Sequence, residues 1–227
     1  MYIKHMKMTE YKIEIVHGHI LVVDDRGSKV LIDTGSPLSF HSEGVIALGG
    51  ETFNVPTFLM GTGSDYVSDN VGTDVYGLVG MDILGKGILI DMPHGRIVLG
   101  YPTVGLVRVP SQSLFGYMTA EMEIRGHKTK VIIDTGAPTS YVMSCLTEGL
   151  SSVGSVTDFN PMVPGGSFVT PIFEFPVSFA GQNFNIRAGH LPFLIRTSLS
   201  LLGVDGVIGM ELLQRQPLLI ADGGVWV

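Results

Sequence analysis

The chain writes nearly the same passage twice, and that repetition restricts its possible folds more than any other feature. "VLIDTGSPLSF" at residues 30–40 is matched by "VIIDTGAPTSY" at 131–141. Each copy has a Pro four residues after the Asp (Pro37, Pro138), a Ser two further on (Ser39, Ser140) and then an aromatic ring (Phe40, Tyr141). Upstream, "RGSKVLID" stands against "RGHKTKVIID", a Gly-centred turn that leads into an apolar strand. Downstream, "GLVGMDIL" (77–84) answers "GVIGMELL" (206–213), and "ILIDMPHGRIVL" (88–99) answers "LLIADGGVWV" (218–227). Matching blocks in the same order mark a duplication, with one copy over roughly 11–100 and the other over roughly 116–227.

The duplicated unit is built for strands. Runs such as "YKIEIVHGHILVV", "VLID", "GRIVLG" and "NFNIRAG" alternate or are β-branched, as half-buried or buried strands are. Thirty Gly and twelve Pro, scattered along 227 residues, punctuate those runs too often for long helices. Helix is expected only in short pieces, at "MDILG" and "MELLQR". With 45% apolar and 15% charged residues, there is ample material for a core and little for disorder. The expected class is all-β in two lobes: an N-terminal lobe over 1–103, a Pro/Gly/Ser-containing connection over 104–115 and a C-terminal lobe over 116–227.

The copies differ in length at one place. "VIALGGETFNVPTFL" (45–59) follows the first Asp closely, whereas the comparable "VSFAGQNFNIRAGHL" (177–191) comes much later after the second. The additional segment, about 142–176, contains two β-prone runs around a Pro-Gly-Gly tip and reads as a hairpin. The first lobe offers only "MGTGSDYVSDN" (60–70), read as a short loop carrying Tyr66.

Several functions are disfavoured. The net charge of −7, without a basic stripe, argues against nucleic acid as partner. No apolar run is long enough to span a membrane, and the polar start "MYIKHMKMTEY" lacks the apolar run of a secretory signal. Cys145 is the single cysteine, which excludes an intramolecular disulfide, fits a reducing, cytoplasmic location and reads as a small packing residue. His17 and His19 in "VHGHI" have no third ligand in view and read as a polar strand face, so neither metal nor cofactor is expected. The Gly-rich "GTGSD" and "LGKG" lack the helix and Lys-Ser/Thr of a phosphate cradle.

A carboxylate at the end of a buried strand is costly unless it is hydrogen-bonded, metal-bound or functional. A single such Asp is explained as the cap of its own turn. Two, related by a duplication, can be brought together by a pseudo-twofold pairing, and two touching carboxylates cannot both ionise cheaply. The paired Asp-Thr-Gly-Ser/Ala turns, each followed by an apolar-apolar-Gly strand, resemble the aspartic proteases of the pepsin and retroviral-protease group.

That resemblance implies a bilobal acid-protease β-barrel fold with a cleft between pseudo-twofold related lobes. Asp33 and Asp134 would activate one water for attack on a peptide carbonyl, without metal or covalent intermediate. Thr34 and Thr135 would hydrogen-bond the opposite loop. Gly35 and Gly136 would admit the backbone close to the carboxylates. Leu78, Val79, Val207 and Ile208 would form core strands beneath the turns. Ser36 and Ala137 occupy the fourth position of the turn, and a Ser36 hydroxyl bonded to the Asp33 carboxylate would make Asp33 the ionised partner. Phe40 and Tyr141 would help line the substrate pockets. The missing first-lobe flap departs from the pepsin pattern; the candidate flap is the C-terminal insert at about 153–172, with Phe159, Met162 and Phe168 meeting substrate. The expected protein is a monomeric endopeptidase acting on extended peptides with apolar flanking residues. The alternative is a catalytically inactive peptide-binding or scaffold protein of the same fold.

Overall fold

A computed structural model describes residues 7–59, 61–160, 163 and 166–227, and it is built mainly of strands. Each half centres on the same knot of three strands. In the first, Lys29–Ile32 runs parallel to Gly77–Val79, with Leu31 beside Leu78, while Phe40–His41 lies antiparallel on the other side of Gly77–Val79, with Phe40 beside Leu78. In the second, His127–Ile133 runs parallel to Gly206–Ile208 and Ser140–Val142 lies antiparallel to it, with Tyr141 beside Val207. The chain leaves the first strand, makes the Asp turn and returns along the far side of the central strand. The short apolar-apolar segments, flanked by glycines, are thus threaded through the loop that carries the Asp. Leu78, Val79, Val207 and Ile208 are all buried, as expected of core strands.

Glycine is required where the threaded strand passes under the turn. A side chain on Gly80 would come within 2.5 Å of the Leu38 carbonyl oxygen, and one on Gly209 within 2.1 Å of that of Ala137. The close passage lets Met81 N–H bond the Ser36 carbonyl (2.8 Å) and Met210 N–H that of Ala137 (3.1 Å). The short helices Met81–Leu84 and Met210–Leu213 follow, as the sequence suggested.

Two further helices were not expected. Ser64–Val71 occupies the stretch read as a loop: Val67 and Val71 lie one helical turn apart on the buried face, and Gly72 ends the helix in the left-handed region at φ 82°. Phe193–Leu201 begins after Pro192 and buries Leu199. Each precedes the threaded strand of its own lobe by a short turn, so the helices are themselves a repeated feature. They cover matching apolar clusters: Leu31, Phe40, Val71, Val75 and Leu78 in one lobe, Ile132, Tyr141, Leu199, Val204 and Val207 in the other.

The run "YKIEIVHGHILVV" is not one strand but three, Thr9–Lys12, Glu14–Val16 and His19–Val23. His17 and Gly18 form a tight turn with φ of 47° and 85°, so His17 and His19 do not share a strand face. The two halves join in a six-stranded sheet with the order Thr9–Lys12, Arg96–Leu99, Ile88–Asp91, Leu218–Ala221, Gly224–Trp226, Arg108–Val109. At its centre the repeated blocks meet each other, Leu89 opposite Leu219. A shared apolar cluster including Ile88, Ile90, Leu218 and Ile220 lies under this junction. The C-terminal insert forms the expected hairpin, Gly154–Phe159 paired with Ser167–Phe179, Phe159 opposite Ser167.

Candidate active site

The two Asp turns face each other across the pseudo-twofold axis, locked by reciprocal bonds from the threonines. Thr34 Oγ1 donates to the Ile133 carbonyl (2.8 Å) and accepts the Thr135 N–H (3.0 Å). Thr135 Oγ1 donates to the Ile32 carbonyl (2.6 Å) and accepts the Thr34 N–H (3.0 Å). Both threonines are fully buried, so each hydroxyl satisfies two backbone groups that have no water to turn to.

Each carboxylate is held by its own turn: Gly35 N–H donates to Asp33 Oδ1 (2.9 Å) and Gly136 N–H to Asp134 Oδ1 (2.8 Å). The opposite carboxylate comes so near that a side chain on Gly35 would lie 2.2 Å from Asp134, and one on Gly136 2.6 Å from Asp33. The carboxyls also hydrogen-bond each other. They retain partial access to solvent, although protein crowds them on all sides. Burial, followed by the charge of Asp134, holds the Asp33 carboxyl well above the usual carboxylate range; burial also raises Asp134. Such a pair retains one proton between its members at pH values where an isolated carboxylate has lost it.

The expected role of the Ser36 hydroxyl is not what the geometry gives. Ser36 Oγ donates to the Leu38 carbonyl (2.8 Å), within its own turn. The turn bonds that lower the two carboxyls come from backbone N–H groups, Gly35 and Ser36 for Asp33 and Gly136 and Ala137 for Asp134, and match between the lobes; the bond between the carboxyls themselves raises Asp33 and lowers Asp134. The side-chain difference at the fourth turn position does not select Asp33 as the ionised partner.

Of the expected pocket residues, Phe40 is only 1% exposed. It packs within its lobe against Leu21, Leu31, Val67 and Leu78 and presents no surface to a ligand. Tyr141 is also buried, but its ring meets Phe168 (5.8 Å between centroids) and its hydroxyl donates to the Asp158 carboxylate. Phe159 reaches the N-terminal lobe, with its ring 5.9 Å from that of His19 and edge-on to Tyr66 at 6.2 Å. Met162 lies outside the described residues. Cys145 is exposed rather than packed.

Four residues of the dyad's surroundings and the hairpin contact were not among the expected site residues: His19, Tyr66, Tyr117 and Asp158. Two of them carry a legible signal. "VHGHI" and "LFGYM" are equivalent turns, His17 and Phe115 both at positive φ (47° and 50°) before Gly18 and Gly116. A side chain on Gly18 would strike Pro138, and one on Gly116 would strike Pro37, so each hairpin tip presses on the opposite lobe's turn. This puts His19 and Tyr117 on matching sides of the cleft. Burial, with the charges of Asp134 and Asp33, raises the Tyr117 hydroxyl. Burial lowers the His19 imidazole, which reaches the Gly136 backbone. Among the described residues no group of three or more His, Cys, Asp or Glu is arranged to hold a metal, and no helix is long and apolar enough to cross a membrane.

No protein-family model matches the chain, and no curated protein matches its sequence. Solved structures do. The crystal structure of an aspartic proteinase from Irpex lacteus superposes with a TM-score of 0.57 at 13% identity, covering 96% of this chain and 96% of that one. The solution structure of Simian Foamy Virus (mac) protease covers 41% of this chain and 88% of its own at 15% identity and TM-score 0.31. A retropepsin-like aspartic protease from Rickettsia conorii covers 51% and 89% at 16% identity and TM-score 0.34. The likeness to the Irpex lacteus structure, running through both lobes, shows the acid-protease fold.

Proposed function

We propose that this protein is an aspartic-type endopeptidase that uses Asp33 and Asp134 to add water across a peptide bond. The observation that carries this reading is the contact between two carboxyls from different lobes, each fixed by a glycine N–H and held in register by the crossed threonines. With one proton shared, the ionised carboxylate takes a proton from a water as its oxygen attacks the peptide carbonyl carbon. The protonated partner gives its proton to the carbonyl oxygen. Collapse of the resulting gem-diol returns a proton to the departing nitrogen, the C–N bond breaks, and the dyad regains its starting state. Both carboxyls come from one chain, so a monomer supplies the full dyad.

The long hairpin supports the finer reading. Its stem crosses from the C-terminal lobe to Tyr66 and His19 of the N-terminal lobe, as a flap over bound substrate would. An extended peptide held beneath it would bond by backbone groups and place apolar side chains among Phe159, Phe168 and Tyr117. The test is hydrolysis of quenched fluorescent peptides between pH 3 and 7 by the wild-type protein, Asp33→Asn and Asp134→Asn. Cleavage by the wild type that is lost in both variants supports the peptidase. Peptide binding with no cleavage at any pH would overturn it and favour a binding protein of the same fold.

A further inference from the structure

The strands that leave the two Asp turns differ by one oxygen atom at equivalent positions. Phe40 and Tyr141 occupy the same register against the threaded strands and the same kind of apolar cluster, and both are buried. Burying a hydroxyl costs free energy unless it has a partner. The hydroxyl is present in the lobe that carries the long hairpin, and its partner, the Asp158 carboxylate, lies on that hairpin. Asp158 is also bonded by the following Phe159 N–H (2.8 Å to Oδ1). The Phe159 ring is the group that meets His19 and Tyr66.

We propose that Asp158 is a positioning residue of the cleft: by accepting the Tyr141 hydroxyl it ties the hairpin stem to the strand leaving the Asp134 turn, and it sets a third carboxylate beside the dyad. The kinetic part rests on the peptidase reading; the electrostatic part does not. Four groups face this carboxylate or its immediate neighbour. Burial and Asp158 itself hold the Tyr141 hydroxyl far above its ordinary range, so it remains a donor throughout the working pH. Burial lowers the His19 imidazole, although the Asp158 charge opposes this. Tyr66, against Phe159, is likewise raised by burial and stays neutral. Asp134 feels Asp158 as a like charge that favours its protonated form. The charge of Asp158 therefore extends the pH range over which the dyad keeps its shared proton.

Three substitutions separate the tie from the charge. Asp158→Asn keeps an acceptor oxygen and removes the charge, Asp158→Ala removes both, and Tyr141→Phe removes the donor. The first measurement needs no turnover: carbon-13 NMR titration of the aspartate carboxyls in the intact protein, with the dyad signals assigned through Asp33→Asn and Asp134→Asn. In Asp158→Asn the dyad should titrate about half a pH unit or more lower, the size of a nearby unit charge in a partly hydrated cleft. An unmoved titration overturns the proposal. In the peptide assay, Tyr141→Phe and Asp158→Ala should raise KM roughly 5- to 20-fold, as expected for the loss of one charge-assisted hydrogen bond. Asp158→Asn should raise it less while moving both limbs of the pH–rate profile toward acid. Wild-type KM in Tyr141→Phe also overturns the proposal. Melting curves identify variants that fail to fold, and the near-isosteric Asp158→Asn carries the test if the alanine variant does. Absence of cleavage by the wild-type protein would sink the peptidase reading and leave the titration result to stand or fall separately.

Discussion

The two lobes agree wherever the chain builds the dyad and part company wherever it would meet a ligand. Turn, threaded strand, following short helix and covering helix are all repeated, and backbone bonds match pair for pair: Asp33 N–H to Val79 (3.0 Å), Asp134 N–H to Ile208 (3.0 Å). In side-chain partners the lobes diverge, beginning within the frame itself. In the first, Ser39 donates to Asp82 (2.5 Å) and accepts the Gly80 N–H (2.8 Å). In the second, Ser140 accepts the Gly209 N–H (3.1 Å), but Glu211, standing where Asp82 stands, accepts the Arg187 N–H instead (2.8 Å). His19 stands where Tyr117 stands, Phe40 matches Tyr141, and only the second lobe carries the long hairpin among the described residues. A symmetric frame supplies two carboxyls in matching turns; on the peptidase reading proposed above, asymmetric walls would let a directional peptide chain bind in one orientation.

The largest effect should come from breaking the symmetric part. Asp33→Asn and Asp134→Asn should each reduce kcat/KM by at least about a thousandfold, because neither carboxyl can serve as both acid and base in the same step. Near-wild-type turnover in either variant would break the equivalence of the lobes outright. Next come the crossed threonines. Thr34→Val and Thr135→Val each remove a hydroxyl that serves a carbonyl and an N–H, both buried, at a cost of about 2–4 kcal/mol. Chemical denaturation should show the two losses equal within about 0.5 kcal/mol; a clear inequality would mean that one lobe anchors the other.

The asymmetric part should respond in binding rather than chemistry. Removing residues 160–167 should raise KM about tenfold or more and lower kcat less, since the dyad and its grip lie elsewhere. Unchanged kinetics would reduce the hairpin to a surface feature. The dyad also predicts how stability varies with pH. Its carboxyls are raised in the folded state, so folding favours the protonated pair. That penalty is absent below the ordinary carboxylate range and grows as pH rises through it toward the raised values. Asp33→Asn should therefore melt higher than wild type at pH 7, with the difference shrinking toward pH 3. A constant difference would mean that the substitution acts through packing and not through charge.

How far the sequence was legible follows the same division. The repeated frame could be read because the same backbone demands appear twice: an Asp at a strand end, glycines where strand passes turn, apolar residues between. The covering helix Ser64–Val71 was hidden because its polar, Asp-containing sequence resembles a loop; only the Val67–Val71 spacing and Gly72 mark it. The walls of the cleft were harder. His19 looked like a polar strand residue, and nothing near Asp158 in the sequence announces Tyr141 as its partner. Such contacts depend on how the hairpin lies across the lobes, which no local pattern encodes. Phe40 was misplaced for a related reason: an aromatic ring after the active turn can face the cleft or the core, and the helix that sets it in the core was not foreseen.

The smallest expected effect is the most exacting test of the comparison. At the fourth turn position the lobes carry Ser36 and Ala137, the first side-chain difference that follows the two Asp residues. Were the Ser36 hydroxyl bonded to Asp33, Ser36→Ala would move the acid limb of the pH–rate profile upward. Instead it donates to the Leu38 carbonyl, and the bonds that act on the carboxyls are those from the backbone N–H groups of Gly35 and Ser36, those from Gly136 and Ala137, and the bond between the carboxyls, all of which the substitution leaves in place. Ser36→Ala should thus cost about 1 kcal/mol of stability, the loss of one side-chain hydrogen bond within a turn. Both limbs should stay within about 0.2 units of wild type, because no charge and no donor bonded to the dyad has changed. A shift of the acid limb by half a unit would mean that the hydroxyl rotates onto Asp33 during turnover and that the frame, too, is functionally asymmetric.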